Sequence, residues 1–165
     1  MAKRINPADL PSHSGTFYPP PYDEPCRARE RRRLGDAAGL TQFGVNLLRL
    51  PPGVWSSQRH WHFKQDEFVY VLEGEVVLIT DAGEEVLTAG DCAGFKAGDE
   101  DGHHFQNRSD KDVLLLEVGT RIDGDGAIYP GIDLVYPAGG VPAIYTHLDG
   151  TPYTDIGLKG PKDKG

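Results

Sequence analysis

Between Phe43 and Arg121 the chain reads as an all-β sandwich or barrel. Three observations predict this fold class. Short apolar or alternating runs recur about every eight to twelve residues. Glycine (21) and proline (13) are frequent enough to punctuate 165 residues into many turns rather than long helices. No segment of helical length between Phe43 and Arg121 repeats its apolar residues with a 3.6-residue period.

Residues 1–38 read as an arm. Pro7, Pro11, Pro19, Pro20, Pro21 and Pro25 remove backbone donors, so a regular ladder is not expected there. Phe17, Tyr18 and Tyr22 bracket the prolines, and aromatic rings seek burial. An ordered arm lying on the barrel or across a partner subunit is therefore expected. Cys26–Leu34 is the one helical candidate, short and highly charged.

The barrel core occupies 39–122. Its strands are expected at Phe43–Leu50, Val54–His62, Glu67–Leu72, Glu75–Thr80, Glu85–Thr88, Asp91–Phe95, His103–Arg108 and Val113–Thr120, with Asp81-Ala82-Gly83 as a hairpin turn. Residues 123–165 form a C-terminal extension. Ile132–Tyr136 and Ala143–Tyr145 are short strand candidates there, and Gly157–Gly165 reads as a frayed tail.

Composition excludes several classes. A formal charge of −8 argues against nucleic acid, which requires a dense positive surface. The basic stretch Arg27–Arg33 is interrupted by Ala28 and Glu30 and reads as a solvated charged segment. Cys26 and Cys92 have neither the spacing of a zinc site nor that of a disulfide framework. No apolar run approaches the ~18 residues that span a bilayer, and Lys3 and Arg4 precede no hydrophobic stretch. A cytoplasmic location follows as the expectation.

The chemistry concentrates in the barrel. In a strand, residues two apart share a face, so His60 and His62 point together. Glu67 stands five residues beyond His62, an odd offset that a turn around Lys64–Asp66 corrects by starting a new strand. Val69 and Val71 then share the face of Glu67 and give the site an apolar floor. A further donor is expected from His103-His104, of which alternation allows only one inward. Phe105 and Asn107 share the face of His103, which selects His103, with His104 as the alternative. Gathering such polar groups without a cation would be costly, so His60, His62, Glu67 and His103 are read as metal ligands. Gln58 shares their face and is a candidate for hydrogen-bonding a substrate.

These residues resemble the two motifs of the cupin superfamily, and within it the small single-domain bacterial cupins. The first runs from Gly53 through His60, His62 and Glu67 to Gly74; the second comprises Gly90, Lys96-Ala97-Gly98, His103 and Asn107. The chain departs from the pattern by one extra residue between Gly53 and His60, by Lys96 in place of proline, and by two extra residues between Gly98 and His103. The resemblance covers about 43–120 and implies a double-stranded β-helix, or jelly-roll, barrel and a homodimer.

Three imidazoles and a carboxylate suit one divalent transition metal: Fe, Mn, Ni, Co, Cu or Zn. Such a site serves a small metal-dependent enzyme, a dioxygenase or an isomerase or lyase, on an oxygen-rich small molecule. The alternative is a non-catalytic module binding a sugar or small acid.

Overall fold

The computed structural model describes residues 4–138 and 145–155. Short 3-10 turns at Pro7–Asp9 and Glu24–Cys26 interrupt the N-terminal segment, which contributes β1 (His13–Ser14), β2 (Glu30–Arg33) and the single-turn α1 (Leu34–Ala37). The remaining strands are β3 (Phe43–Leu50), β4 (Trp61–His62), β5 (Glu67–Glu73), β6 (Glu75–Thr80), β7 (Gly83–Thr88), β8 (Cys92–Phe95), β9 (His104–Gln106), β10 (Val113–Thr120), β11 (Ala127–Ile128) and β12 (Val135–Tyr136). They form a six-stranded sheet in the order β1-β2-β3-β10-β5-β8 and two three-stranded sheets, β7-β6-β9 and β12-β11-β4.

Alternation explains the core. Leu48 and Leu50 of β3, Leu115 and Val113 of β10, and Val69 and Val71 of β5 meet Val76 and Leu78 of β6 and Phe105 of β9 between the sheets. The opposite face of β5 leaves Phe68, Tyr70 and Leu72 exposed. β6 and β7 close on the expected hairpin, with Thr80 opposite Gly83. Gly74 turns β5 into β6 at a φ of +85°, and a Cβ there would stand 2.9 Å from the Asp112 carbonyl oxygen. Asn107 is fully buried and closes the following loop, donating to the carbonyls of Leu50 and Lys111 at 2.7 Å each.

Two segments differ from the sequence expectation. Cys26–Leu34 is not a helix: Glu30–Arg33 pairs antiparallel with β3, placing Arg31 opposite Leu48 and Arg33 opposite Asn46. Pairing with a formed neighbour outweighs the weak local preference of a charged run. Val54–His62 is mostly irregular, with ladder structure only at Trp61–His62. It nevertheless follows the second motif antiparallel, through bridges between Trp55 and Gln106 and between His60 and His103.

The chain ends meet in a second cluster. Tyr18 and Cys26 pack with Ala127, Tyr129 and Leu134. Of the C-terminal candidates, Val135–Tyr136 is a strand, whereas Ala143, Ile144 and the tail Gly157–Gly165 lie outside the described residues.

Candidate metal centre

Three imidazoles converge on one carboxylate oxygen. The Nε2 atoms of His103, His60 and His62 lie 3.1, 3.4 and 3.6 Å from Glu67 Oε2. Backbone pairing produces this arrangement, since His60 and His103 exchange N–H···O bonds of 3.1 and 2.9 Å across the two motifs. Glu67 opens β5 on the inward face, as the turn after His62 requires.

The opposite ring nitrogens are oriented differently. His60 Nδ1 stands 2.9 Å from the Gln58 carbonyl oxygen, and His62 Nδ1 stands 2.6 Å from Asp125 Oδ2. Both contacts fix the imidazole so that Nε2 faces inward. His103 Nδ1 is buried without a hydrogen-bond partner among the described residues, while Phe95 stacks on its ring at 3.4 Å between centroids. Tyr129 stacks on His60 at 5.6 Å.

His104 points away, as alternation requires. Its Nδ1 lies 2.9 Å from the Ser57 carbonyl, its ring packs edge-on against Trp55, and burial pushes its pKa down to about 4. Gln58 is not brought into the cluster. Its Nε2 donates to the Tyr22 carbonyl at 2.7 Å and so ties down the N-terminal segment.

Electrostatics favour a charged carboxylate. Burial opposes ionisation of Glu67, but hydrogen bonds from His103 and His60 and the charge of the imidazoles hold its pKa well below the usual range. Burial opposes protonation of His62, and the Asp125 hydrogen bond with the nearby Glu67 charge outweighs it, leaving the pKa raised. Burial keeps His103 low despite its bond to Glu67.

Nitrogen and carboxylate donors of His60, His62 and Glu67 lie within 4.8 Å of one another. Donor atoms at right angles around a cation, with bonds of about 2.1 Å, stand roughly 3 Å apart. The spacings to Glu67 Oε2 therefore fit a mononuclear site of mixed nitrogen and oxygen donors, and no thiolate is near. Cys92 is exposed on β8, and Cys26 is buried in the second cluster.

Two cavities reach the cluster. One, of ≈ 350 Å³, extends from His60, Glu67 and His103 past Glu117 to Arg33 and Arg121. The other, of ≈ 380 Å³, runs along Trp61, His62, Phe95 and Lys96. In the first, Arg31 grips Glu117 through two hydrogen bonds of 2.8 and 3.0 Å.

Asp125, Arg31 and Glu117 were not legible as site residues. Asp125 sits in a glycine-flanked turn that reads only as a loop. A Cβ on the adjacent Gly126 would come within 2.6 Å of the Tyr136 carbonyl oxygen, so this turn presses against β12. Arg31 lies in the stretch read as solvated; treating Arg31 and Arg33 as one face of a strand would have revealed them.

Comparison with known proteins agrees with this geometry. The cupin domain model matches residues 46–119. A solved structure from Silicibacter pomeroyi, described as a sugar phosphate isomerase of the cupin superfamily, is 44% identical. That match covers 94% of this chain and 100% of the other, with a TM-score of 0.85. A protein of Acidithiobacillus ferrooxidans assigned as a sugar phosphate isomerase is 30% identical, covering 74% of this chain and 76% of the other, with a TM-score of 0.67. The polyketide cyclase RemF of Streptomyces resistomycificus shares the fold at 19% identity, with 83% and 85% of the two chains covered and a TM-score of 0.61. Among curated proteins none matches. With a relative this similar over nearly its full length, and the family model lying over the barrel, the chain belongs to the cupin superfamily and folds as its double-stranded β-helix.

Proposed function

We propose that the chain is a metal-dependent isomerase of phosphorylated sugars, interconverting an aldose and a ketose. The observation that carries this reading is the 44% identity, over 94% of the chain, to a structure described as a sugar phosphate isomerase. The polar cavity that opens onto His60, Glu67 and His103 supports it.

His60, His62, Glu67 and His103 hold one divalent transition metal in this reading. When bound, the ion supplies Lewis acidity to the carbonyl and neighbouring hydroxyl oxygens of a sugar. Glu117 provides the base. It points inward from β10 into the same cavity, and the two hydrogen bonds from Arg31 fix its orientation. Glu117 takes the proton from the hydroxyl-bearing carbon and returns it to the former carbonyl carbon, while the hydroxyl proton moves between the two oxygens. One bond to hydrogen is broken and one formed at carbon, so no oxidant or reductant is needed.

Proton NMR in D₂O tests the reaction. With Mn(II), Fe(II), Co(II), Ni(II) or Zn(II) supplied in turn, an aldose phosphate should interconvert with its ketose and take up deuterium at carbon. Chelation should abolish the exchange. Glu117→Gln should keep its metal and lose turnover by about 100-fold or more. The double variant His60→Ala/His62→Ala should purify without metal. A wild type that binds metal yet exchanges no proton on any sugar phosphate would overturn the isomerase and leave a binding module.

We further propose that the protein is a homodimer of the cytoplasm. The exposed Phe68, Tyr70 and Leu72 on the outer face of β5 support a covering second copy. The two free thiols suit a reducing compartment. No helix of the described residues is long and apolar enough to cross a membrane.

A further inference from the structure

We infer that Arg33 and Arg121 form an anion seat at the outer end of the metal-site cavity and bind the substrate's phosphate group. The inference rests on the sugar phosphate reading above and assigns that group a place.

The inner face of the large sheet is graded along its strands. At one end stand Leu50, Leu48, Leu115 and Val71, which are fully buried. The next row is polar except at its β5 end, with Arg33 opposite Asn46, Asn46 opposite Glu117, and Glu117 opposite the core residue Val69. The last row has almost no side chains, because Gly44 faces Gly119 and Gly119 faces Glu67. These paired glycines leave a trough in the cavity wall that starts at the Glu67 carboxylate. It leads to Arg121, whose guanidinium nitrogens lie 3.7 Å from where a Cβ of Gly44 would stand.

Exposure rises along the same path. The side chains of His103 and His60 are 6% and 11% exposed, those of Glu117, Arg31 and Glu67 20%, 30% and 30%, and those of Arg121 and Arg33 42% and 53%. The two outer arginines share one counter-ion. Arg121 donates to Asp36, and Arg33 lies 3.8 Å from the same carboxylate. Arg121 also donates to the Leu40 carbonyl at 3.0 Å, which anchors it in place. Two guanidiniums against one carboxylate leave a net positive charge at the mouth. The Arg33 side chain makes no hydrogen bond among the described residues and stands only in the 3.8 Å ion pair with Asp36, so its planar fork can turn to an oxyanion. A ligand with a carbonyl at one end and a phosphate at the other matches a cavity with a metal cluster at its floor and two arginines at its rim. The cavity volume of ≈ 350 Å³ falls within the usual range for small ligands.

Inorganic phosphate is the probe, titrated calorimetrically into the metal-loaded protein with metal content matched between variants. Arg33→Gln should weaken phosphate about tenfold, the scale of one lost charge-assisted hydrogen bond. Asp36→Asn should tighten it, because the competing carboxylate is gone. The opposite sign of the two effects excludes simple unfolding. Unchanged affinity in both variants, or weakening in both, would overturn the anion seat. The isomerase reading fails separately: a wild type whose phosphate affinity shifts as expected but which exchanges no sugar proton sinks that reading alone. Turnover of sugar phosphates that Arg33→Gln leaves unaltered, with phosphate affinity also unaltered, sinks the seat alone.

Discussion

Asp125 shows how one side chain outside the motifs shapes the centre. It accepts from the Lys64 backbone N–H at 2.8 Å and contacts His62 Nδ1 at 2.6 Å, so it fixes both the start of the turn and the ring that precedes it. Partners of this kind typically contribute 10- to 100-fold to metal affinity. Asp125→Ala should therefore raise the dissociation constant for Zn(II) or Co(II) by at least about tenfold. Asp125→Asn, which retains an acceptor oxygen, should lose less. Equal affinities in a competition titration against a chromophoric chelator would refute this role. The cluster itself was legible from residue spacing. His60 with His62 and His103 over His104 follow from a two-residue period, and Glu67 from the turn that corrects its odd offset. Asp125 was not legible, because its contact with His62 joins residues 63 positions apart and no local pattern encodes it.

At the scale of elements, sequence alternation worked where strands are long and central. β3, β6 and β10 occupy Phe43–Leu50, Glu75–Thr80 and Val113–Thr120, the runs expected from the residues alone. Each combines β-branched or apolar residues with a clear inner row. β2 escaped notice because Glu30-Arg31-Arg32-Arg33 carries no apolar residue. Its conformation comes from pairing with β3 and from the Arg31–Glu117 contact. The β5–β6 junction yields a stability prediction. Gly74→Ala adds a methyl group to a left-handed residue and drives it towards the Asp112 carbonyl oxygen at 2.9 Å. The loss should be about 1–3 kcal/mol of unfolding free energy, measured by urea titration. A change below about 0.5 kcal/mol would show that the turn relaxes freely.

For the molecule as a whole, the two chain ends complete the site that the barrel begins. Residues before β3 supply Arg31 and Arg33, and residues after β10 supply Asp125 and Tyr129. The family model at 46–119 contains none of these four residues. Composition could place the ends outside the core but not show that they return to it, since tyrosines pack equally well on a neighbour. Their meeting point, Tyr18 against Tyr129 at 5.6 Å, is a contact across most of the chain. The outer face of β5 remains apolar, and Val45, Leu47, Leu116 and Val118 of the adjacent strands extend it. Light scattering should give twice the chain mass for the wild type and the single mass for Tyr70→Glu. A monomeric wild type would remove the dimer.

The facing glycines of β3 and β10 have a consequence for selectivity. Where two strands present bare backbone to a cavity, an added methyl group narrows it; at Gly119 it would stand 3.8 Å from Glu67 Cγ, whereas at Gly44 its nearest neighbours are the Arg121 guanidinium and the Gly119 carbonyl. Position 44 therefore acts as a gauge on the length and girth of what can lie there. A lineage could change the molecule it accepts by resetting that gauge, leaving the chemistry at the far end intact.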